Sequence, residues 1–198
     1  MSVNRIMSKG RLEAFTDGVI AIIITIMVLE LKTPVGDNLA ALWTIAPTLG
    51  FYAMSFVYIA IYWNNHHHML HVVNAVSGGV LWANMHLLFW LSLVPFTTRW
   101  MGESGFATVP VAVYGVSLLL PAIAFTLLSR ALIAANGADS PLARATGADT
   151  KGKVSIALYC LGIGLSLWRG WAGMACYIAV AMIWFIPDPR IESPRDET

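Results

Sequence analysis

Six long apolar runs, separated by little more than turns, decide what this chain can fold into. They extend from Leu12 to Leu31, Leu39 to Trp63, Ser77 to Thr97, Thr108 to Ile133, Val154 to Trp168 and Trp171 to Pro187. A bilayer core about 30 Å thick takes about 20 helical residues, within a range of about 17–25. The first four runs meet that length. The last two are short, and only Arg169-Gly170 separates their cores, which predicts a tight helical hairpin near one membrane face. A transmembrane β-barrel would show alternating segments of about ten residues, whereas these runs are continuously apolar. Of the 198 residues, 58% are hydrophobic and 12% charged, against about 45–50% and about 25% in ordinary globular domains. That leaves too little polar surface for a water-soluble fold. The expectation is an all-α integral membrane protein, one subunit over residues 1–198 with six transmembrane helices.

Turn formers punctuate the runs. Thr33-Pro34-Val35-Gly36-Asp37-Asn38 closes the first and precedes the second. Pro47 falls in the first turns of the second run, Pro95 near the end of the third, and Pro121 well inside the fourth, where it should kink a helix. From Ala135 to Gly152 the chain turns polar and small, predicting the one loop long enough to move.

Basic residues orient the bundle, because cytoplasmic loops carry the excess of Lys and Arg. Arg5, Lys9, Arg11, Arg130, Arg144, Lys151, Lys153, Arg190 and Arg195 fall on one side, and only Lys32, Arg99 and Arg169 on the other. Both termini are therefore expected in the cytoplasm. The basic start, Met1 to Gly10, has no apolar core and does not read as a signal peptide. Trp43, Trp63, Trp100, Trp168, Trp171 and Trp184 lie near run ends, as an aromatic belt requires. A net charge of +1 offers nucleic acid no basic patch. Cys160 and Cys176 both sit inside apolar runs, so neither a disulfide framework nor a zinc-ligand spacing is present.

The first run departs from the others. It carries Glu13, Asp17 and Glu30 toward its ends and Thr25 near its middle, and ionisable groups in spans usually face protein or water. Glu13 alone fits a charged first turn capping the helix at the headgroups. Asp17 lies more than one turn in and reads as a packing or hydrogen-bond anchor. Ile22, Thr25 and Leu29, at i, i+3 and i+7, share one face, and Asp17 points elsewhere. That stripe is either core packing or a narrow conduit. Periodicity alone favours packing, since such stripes are common in helices.

The residues around this span resemble a known family. Arg11-x-x-x-Phe15-Thr16-Asp17 resembles the Arg-x-x-x-Phe-Ser-Asp signature of the transmembrane protein 175 family, with Thr16 in place of serine. Tyr62-Trp63-Asn64-Asn65-His66-His67, Leu81-Trp82-Ala83-Asn84, Leu93-Val94-Pro95-Phe96-Thr97 and Ile186-Pro187-Asp188-Pro189-Arg190 follow in the family's order. The likeness is weakest between about Gly102 and Gly170. It implies a potassium channel of a bacterial plasma membrane, built as a homotetramer in which four copies of span one surround a pore. On that resemblance Ile22 is the constriction, Thr25 a hydroxyl layer and Leu29 a second apolar layer. No cofactor is implied; potassium is the permeant ion and lipid the surroundings. Arg11, Phe15, Thr16 and Asp17 would form a network holding span one against spans two and three. Its expected partners are Trp63, His66, His67, Trp82 and Asn84, and selectivity for potassium over sodium should be modest.

Two other function classes remain to be weighed. His66-His67-His68 with His71 invites a metal-dependent intramembrane enzyme, since His67 and His71 stand at i, i+4. No Cys accompanies them and the His-Glu-x-x-His motif is absent, so hydrogen bonding or pH sensing suits them better. A proton-coupled transporter would show paired broken helices, which are not evident; His86 reads as a hydrogen-bonded histidine. Neither a metal site nor a catalytic group is expected. Gly78-Gly79, Gly162-x-Gly164 and Gly170-x-x-Gly173 read as sites of close helix approach.

Overall fold

The computed structural model describes residues 8–185, and among them every regular element is helical. The elements are α1 (Lys9–Leu29), α2 (Leu39–Thr44), α3 (Ala46–His71), α4 (Gly78–Ser92), α5 (Val94–Glu103), α6 (Thr108–Asn136), α7 (Pro141–Thr146), α8 (Thr150–Trp168) and α9 (Gly170–Phe185). Four stretches are long and apolar enough to cross a bilayer: Lys9–Leu29, Ala46–His71, Gly78–Glu103 and Thr108–Asn136. The expectations for both termini, and the Ile186–Arg190 motif, lie outside the described residues.

Local chemistry sets the helix ends. The carboxamide oxygen of Asn38 accepts from Ala41 N at 2.9 Å and starts α2, and Ser77 Oγ accepts from Val80 N to start α4. Pro47 occupies the first turn of α3, where its missing N–H breaks no ladder bond. The second span is longer than the sequence suggests. It begins with the separate turn α2, and α3 continues to His71, so Tyr62 to His67 lie inside a helix rather than at its end. Pro95 has the larger effect. Its ring conflicts with the carbonyl four residues back, and the third span breaks at Leu93 into α4 and α5. Pro121 is held within a continuous α6. The stretch from Ala135 to Gly152, expected as the one loop long enough to move, contains a helix of its own, α7, capped by Ser140.

Two apolar cores lie side by side along α6. The first joins α1, α3, α4 and α6 through Leu12, Ile20, Ile23, Met27, Ile59, Leu87, Leu91, Ala124 and Leu128. The second joins α3, α5, α6, α8 and α9 through Phe51, Tyr58, Met101, Tyr114, Tyr159, Met174 and Tyr177. Only Arg169 separates α8 from α9, and the two pack as the expected hairpin. A Cβ on Gly162 would lie 2.6 Å from the Tyr177 ring, and one on Gly173 would lie 2.3 Å from Ser166 Oγ. A Cβ on Gly170 would lie 2.5 Å from the backbone oxygen of Phe106. Gly164 and Gly79 meet no such neighbour, so the reading as contact glycines fails at those two positions. Hydroxyls bind the second core internally: Ser55 Oγ lies 2.7 Å from Thr98 Oγ1 and 2.9 Å from Tyr114 OH.

Candidate functional site

The first helix presents two faces of opposite character. Leu12, Thr16, Ile20, Ile23 and Met27 are buried against the rest of the bundle. Arg11, Phe15, Gly18, Ile22, Thr25 and Leu29 are all exposed. Their spacing is four, three, four, three, four, the repeat that keeps one seam straight along a helix and suits packing against other helices. Ile22 is 58% and Leu29 81% exposed. The stripe therefore packs against nothing in its own chain, contrary to what periodicity alone favours. Sequence reading found the Ile22–Thr25–Leu29 part and missed its continuation through Gly18, Phe15 and Arg11, although the heptad spacing was there to be counted.

Thr25 has a specific geometry within this stripe. Its hydroxyl donates back to the carbonyl of Ile22 at 2.8 Å and lies 3.1 Å from that of Ala21. The donor is thereby occupied by its own helix. What the side chain offers outward is acceptor lone pairs.

Behind the stripe, a buried polar chain ties three helices together. Asn84 Nδ2 on α4 donates to Thr16 Oγ1 on α1 at 2.8 Å. Asn84 Oδ1 lies 2.9 Å from His66 Nε2 on α3. A carboxamide oxygen only accepts, so His66 carries a proton on Nε2. All three residues are essentially inaccessible. Among the described residues no buried side-chain polar atom lacks a partner, and this chain explains why three such groups are tolerated in an apolar bundle.

A second set of contacts lies at the surface beside it. The Trp63 indole donates to Asp17 Oδ1 at 2.9 Å, which makes Asp17 a hydrogen-bond anchor. His67 Nδ1 stands 3.5 Å from Glu13 Oε1. The rings of Trp63 and His67 stack with centroids 6.1 Å apart, and those of His67 and His71 at 6.3 Å. Thus Thr16, Asp17, Trp63, His66, His67 and Asn84 converge from α1, α3 and α4. Arg11, Phe15 and Trp82 do not join them; all three are exposed, Trp82 at 79%. Among the described residues no three His, Cys, Asp or Glu side chains form a group that could hold a metal ion. His86 on α4 accepts from Trp90 Nε1 at 2.7 Å.

The far end of α1 carries a charge cluster of which sequence reading noted Glu30, Lys32 and Arg99 separately, without their pairing or Glu103. Arg99 on α5 pairs with Glu30 and, at 3.0 Å, with Glu103. Lys32 reaches Glu103 at 2.7 Å. Of the basic residues assigned to the two sides, Lys32 and Arg99 meet here, while Lys9 Nζ donates to His71 O at the opposite end of α1.

Comparison with known proteins bears on both faces of α1. The family model described as endosomal/lysosomal potassium channel TMEM175 matches residues 11–95. That range holds the whole exposed stripe and the whole Thr16–Asn84–His66 chain. A potassium channel of Chryseobacterium sp. (strain P1-3) is 52% identical over 191 residues, covering 96% of this chain and 100% of the relative. A potassium channel of Streptomyces collinus is 33% identical over 172 residues, covering 80% of this chain and 81% of its own. The crystal structure of a lysosomal potassium-selective channel TMEM175 homologue from Chamaesiphon minutus matches with a TM-score of 0.74 at 27% identity, over 89% of this chain and 96% of that one.

Proposed function

We propose, since the chain belongs to the TMEM175 family of potassium channels, that it is a multi-pass potassium channel subunit of a bacterial plasma membrane. Four copies assemble with the exposed stripe of α1 turned toward a common axis. The observation that carries this reading is the stripe itself: six exposed residues in heptad spacing on a helix whose other face is already buried. Helices α8 and α9 complete six crossings, with both termini cytoplasmic. The family consists of channels rather than enzymes, and the converging histidines serve a hydrogen bond to Asn84 and a contact with Glu13 rather than metal chemistry.

The conduction path follows from the side chains on the stripe. Four Ile22 side chains form a dry neck that gates by dewetting. An ion crossing it sheds water in surroundings of low dielectric, where charge is costly. Potassium holds its water less tightly than sodium and loses less in doing so. Immediately beyond, four Thr25 hydroxyls face the ion with lone pairs, their donors already bound to Ile22 O. Leu29 closes a second apolar layer. With no carbonyl cage, preference for potassium over sodium is modest.

The test is ion flux through liposomes holding the purified protein. Under equal gradients potassium should pass faster than sodium. If neither ion passed under any gradient, the channel reading would be abandoned. Cross-linking of a Gly18→Cys variant, expected to yield species up to four chains, checks the axis independently.

A further inference from the structure

Away from the pore face, the bundle holds an aromatic cavity with a basic mouth. The cavity, about 60 Å³, lies between α3, α6, α8 and α9, walled by Tyr58, Tyr62, Phe125, Tyr159 and Trp184. An outer hollow of about 230 Å³ shares Thr126, Ser129 and Asp149 with it and adds Arg130 and Lys153. Its lining residues on α6 run from Ala122 to Ser129, about 10 Å of helix at 1.5 Å per residue.

Three of its donors are committed elsewhere. The Trp184 indole donates to Ser155 Oγ at 2.8 Å, Asn65 Nδ2 donates to Ile61 O at 2.8 Å, and the Tyr58 hydroxyl donates to Tyr177 O. Five aromatic rings line the wall, and a water needs two to four polar partners, so this interior suits an apolar guest better. The mouth has the opposite character. Among the described residues neither Arg130 nor Lys153 has an ion-pair partner. The Lys151 ammonium lies 5.9 Å from the Trp184 ring centre. The opposing carboxylate is Asp149, which accepts from Gly152 N at 3.2 Å as the cap of α8. Arg130 and Lys153, together with the N-terminus of α8, outweigh it.

We infer that this is a binding site for an anionic phospholipid, with the phosphate on Arg130 and Lys153 and an acyl segment in the aromatic cavity. Basic pockets between helices on the cytoplasmic side are suited to such headgroups. Charge complementarity selects the anionic lipid over a zwitterionic one, and the cavity selects a lipid over a free anion.

Native mass spectrometry of the detergent-solubilised full chain tests it, with phosphatidylglycerol, phosphatidylcholine, oleate or inorganic phosphate added in turn. Phosphatidylglycerol should be retained in preference to the other three. Arg130→Ala or Lys153→Ala should each lower its apparent affinity by about fivefold, from about 1 kcal/mol per basic residue near the surface. Ala122→Phe, which fills the cavity and leaves the mouth intact, should lower retention as well. The intact mass of each variant in the same spectrum verifies assembly. Equal retention of phosphatidylcholine overturns the proposal, as does binding of oleate or phosphate without phosphatidylglycerol. Retention that neither the mouth nor the cavity variants reduce overturns it too.

Discussion

Asn84 and Thr16, 68 positions apart in sequence, meet at 2.8 Å through Nδ2 and Oγ1 with both side chains buried. Asn84 also accepts from His66 at 2.9 Å, so one carboxamide uses both ends to hold α1 against α3. The helix that carries the exposed stripe is thereby fixed in rotation about its own axis. A turn of α1 by one residue, about 100°, would remove Ile22 from the seam and break this contact together.

Asn84→Leu should therefore destabilise by more than its volume suggests. It leaves the Thr16 hydroxyl and the His66 Nε2–H buried without partners, at about 1–3 kcal/mol for each such group. Thr16→Ser should stay near the parent, because the hydroxyl is retained. Combining Asn84→Leu with Thr16→Val should cost less than the sum of the two, as groups in one network are not additive. Thermal unfolding in detergent measures the parent, the three single variants and the double variant. An Asn84→Leu midpoint equal to the parent would remove the anchor from the account.

Ile22→Asn should wet the neck, raising cation leak and eroding discrimination between potassium and sodium in liposome flux. Thr25→Ala should reduce the potassium preference while leaving assembly unchanged, because its hydroxyl bonds only to its own helix. Thr25→Ser should restore the preference. A permeability ratio unmoved by Thr25→Ala would count against the hydroxyl layer.

The small residues of the α8–α9 hairpin should separate sharply. Gly162→Ala places a Cβ 2.6 Å from the Tyr177 ring and Gly173→Ala one 2.3 Å from Ser166 Oγ; overpacking of this kind costs about 1–3 kcal/mol. Gly164→Ala meets no atom within 4 Å and should be neutral or stabilising by up to about 1 kcal/mol from helix propensity. Unfolding midpoints of the three variants decide the matter. Equal losses at Gly162 and Gly164 would mean that close approach is not what these glycines provide.

Much of this was legible along the chain, and the remainder was hidden for identifiable reasons. Continuous apolar runs announced the helices, since a bilayer demands length and a satisfied backbone. The break at Leu93 was foreshadowed only by Pro95, whose ring acts on the turn before it. Asp17 was read as an anchor from its rotation away from Ile22, and Trp63 is its partner. Whether Ile22, Thr25 and Leu29 pack inside the chain or face out of it depends on which side of α1 meets α3 and α4. A heptad count cannot supply that, but the burial of Thr16 and Ile20 does. The aromatic cavity joins Tyr58, Phe125, Tyr159 and Trp184 from four helices, and no local spacing links them.

The outer cluster should act on conduction through charge rather than through stability. Glu30, Arg99 and Glu103 line a hollow of about 520 Å³ that also includes Ile26, next to Thr25 on the exposed face. With Lys32 on Glu103, two carboxylates are balanced by two cations. Arg99→Ala leaves one carboxylate in excess on each subunit, four around the proposed axis, and should concentrate cations at the outer mouth. Glu30→Gln shifts the balance the other way. Potassium flux should therefore rise with Arg99→Ala and fall with Glu30→Gln at low salt. Screening sets the control, because the Debye length falls from about 30 Å at 0.01 M to about 3 Å at 1 M. Both differences should fade across that range of potassium chloride. Two variants that moved in the same direction, or differences that persisted at 1 M salt, would point to a distorted mouth rather than an altered field.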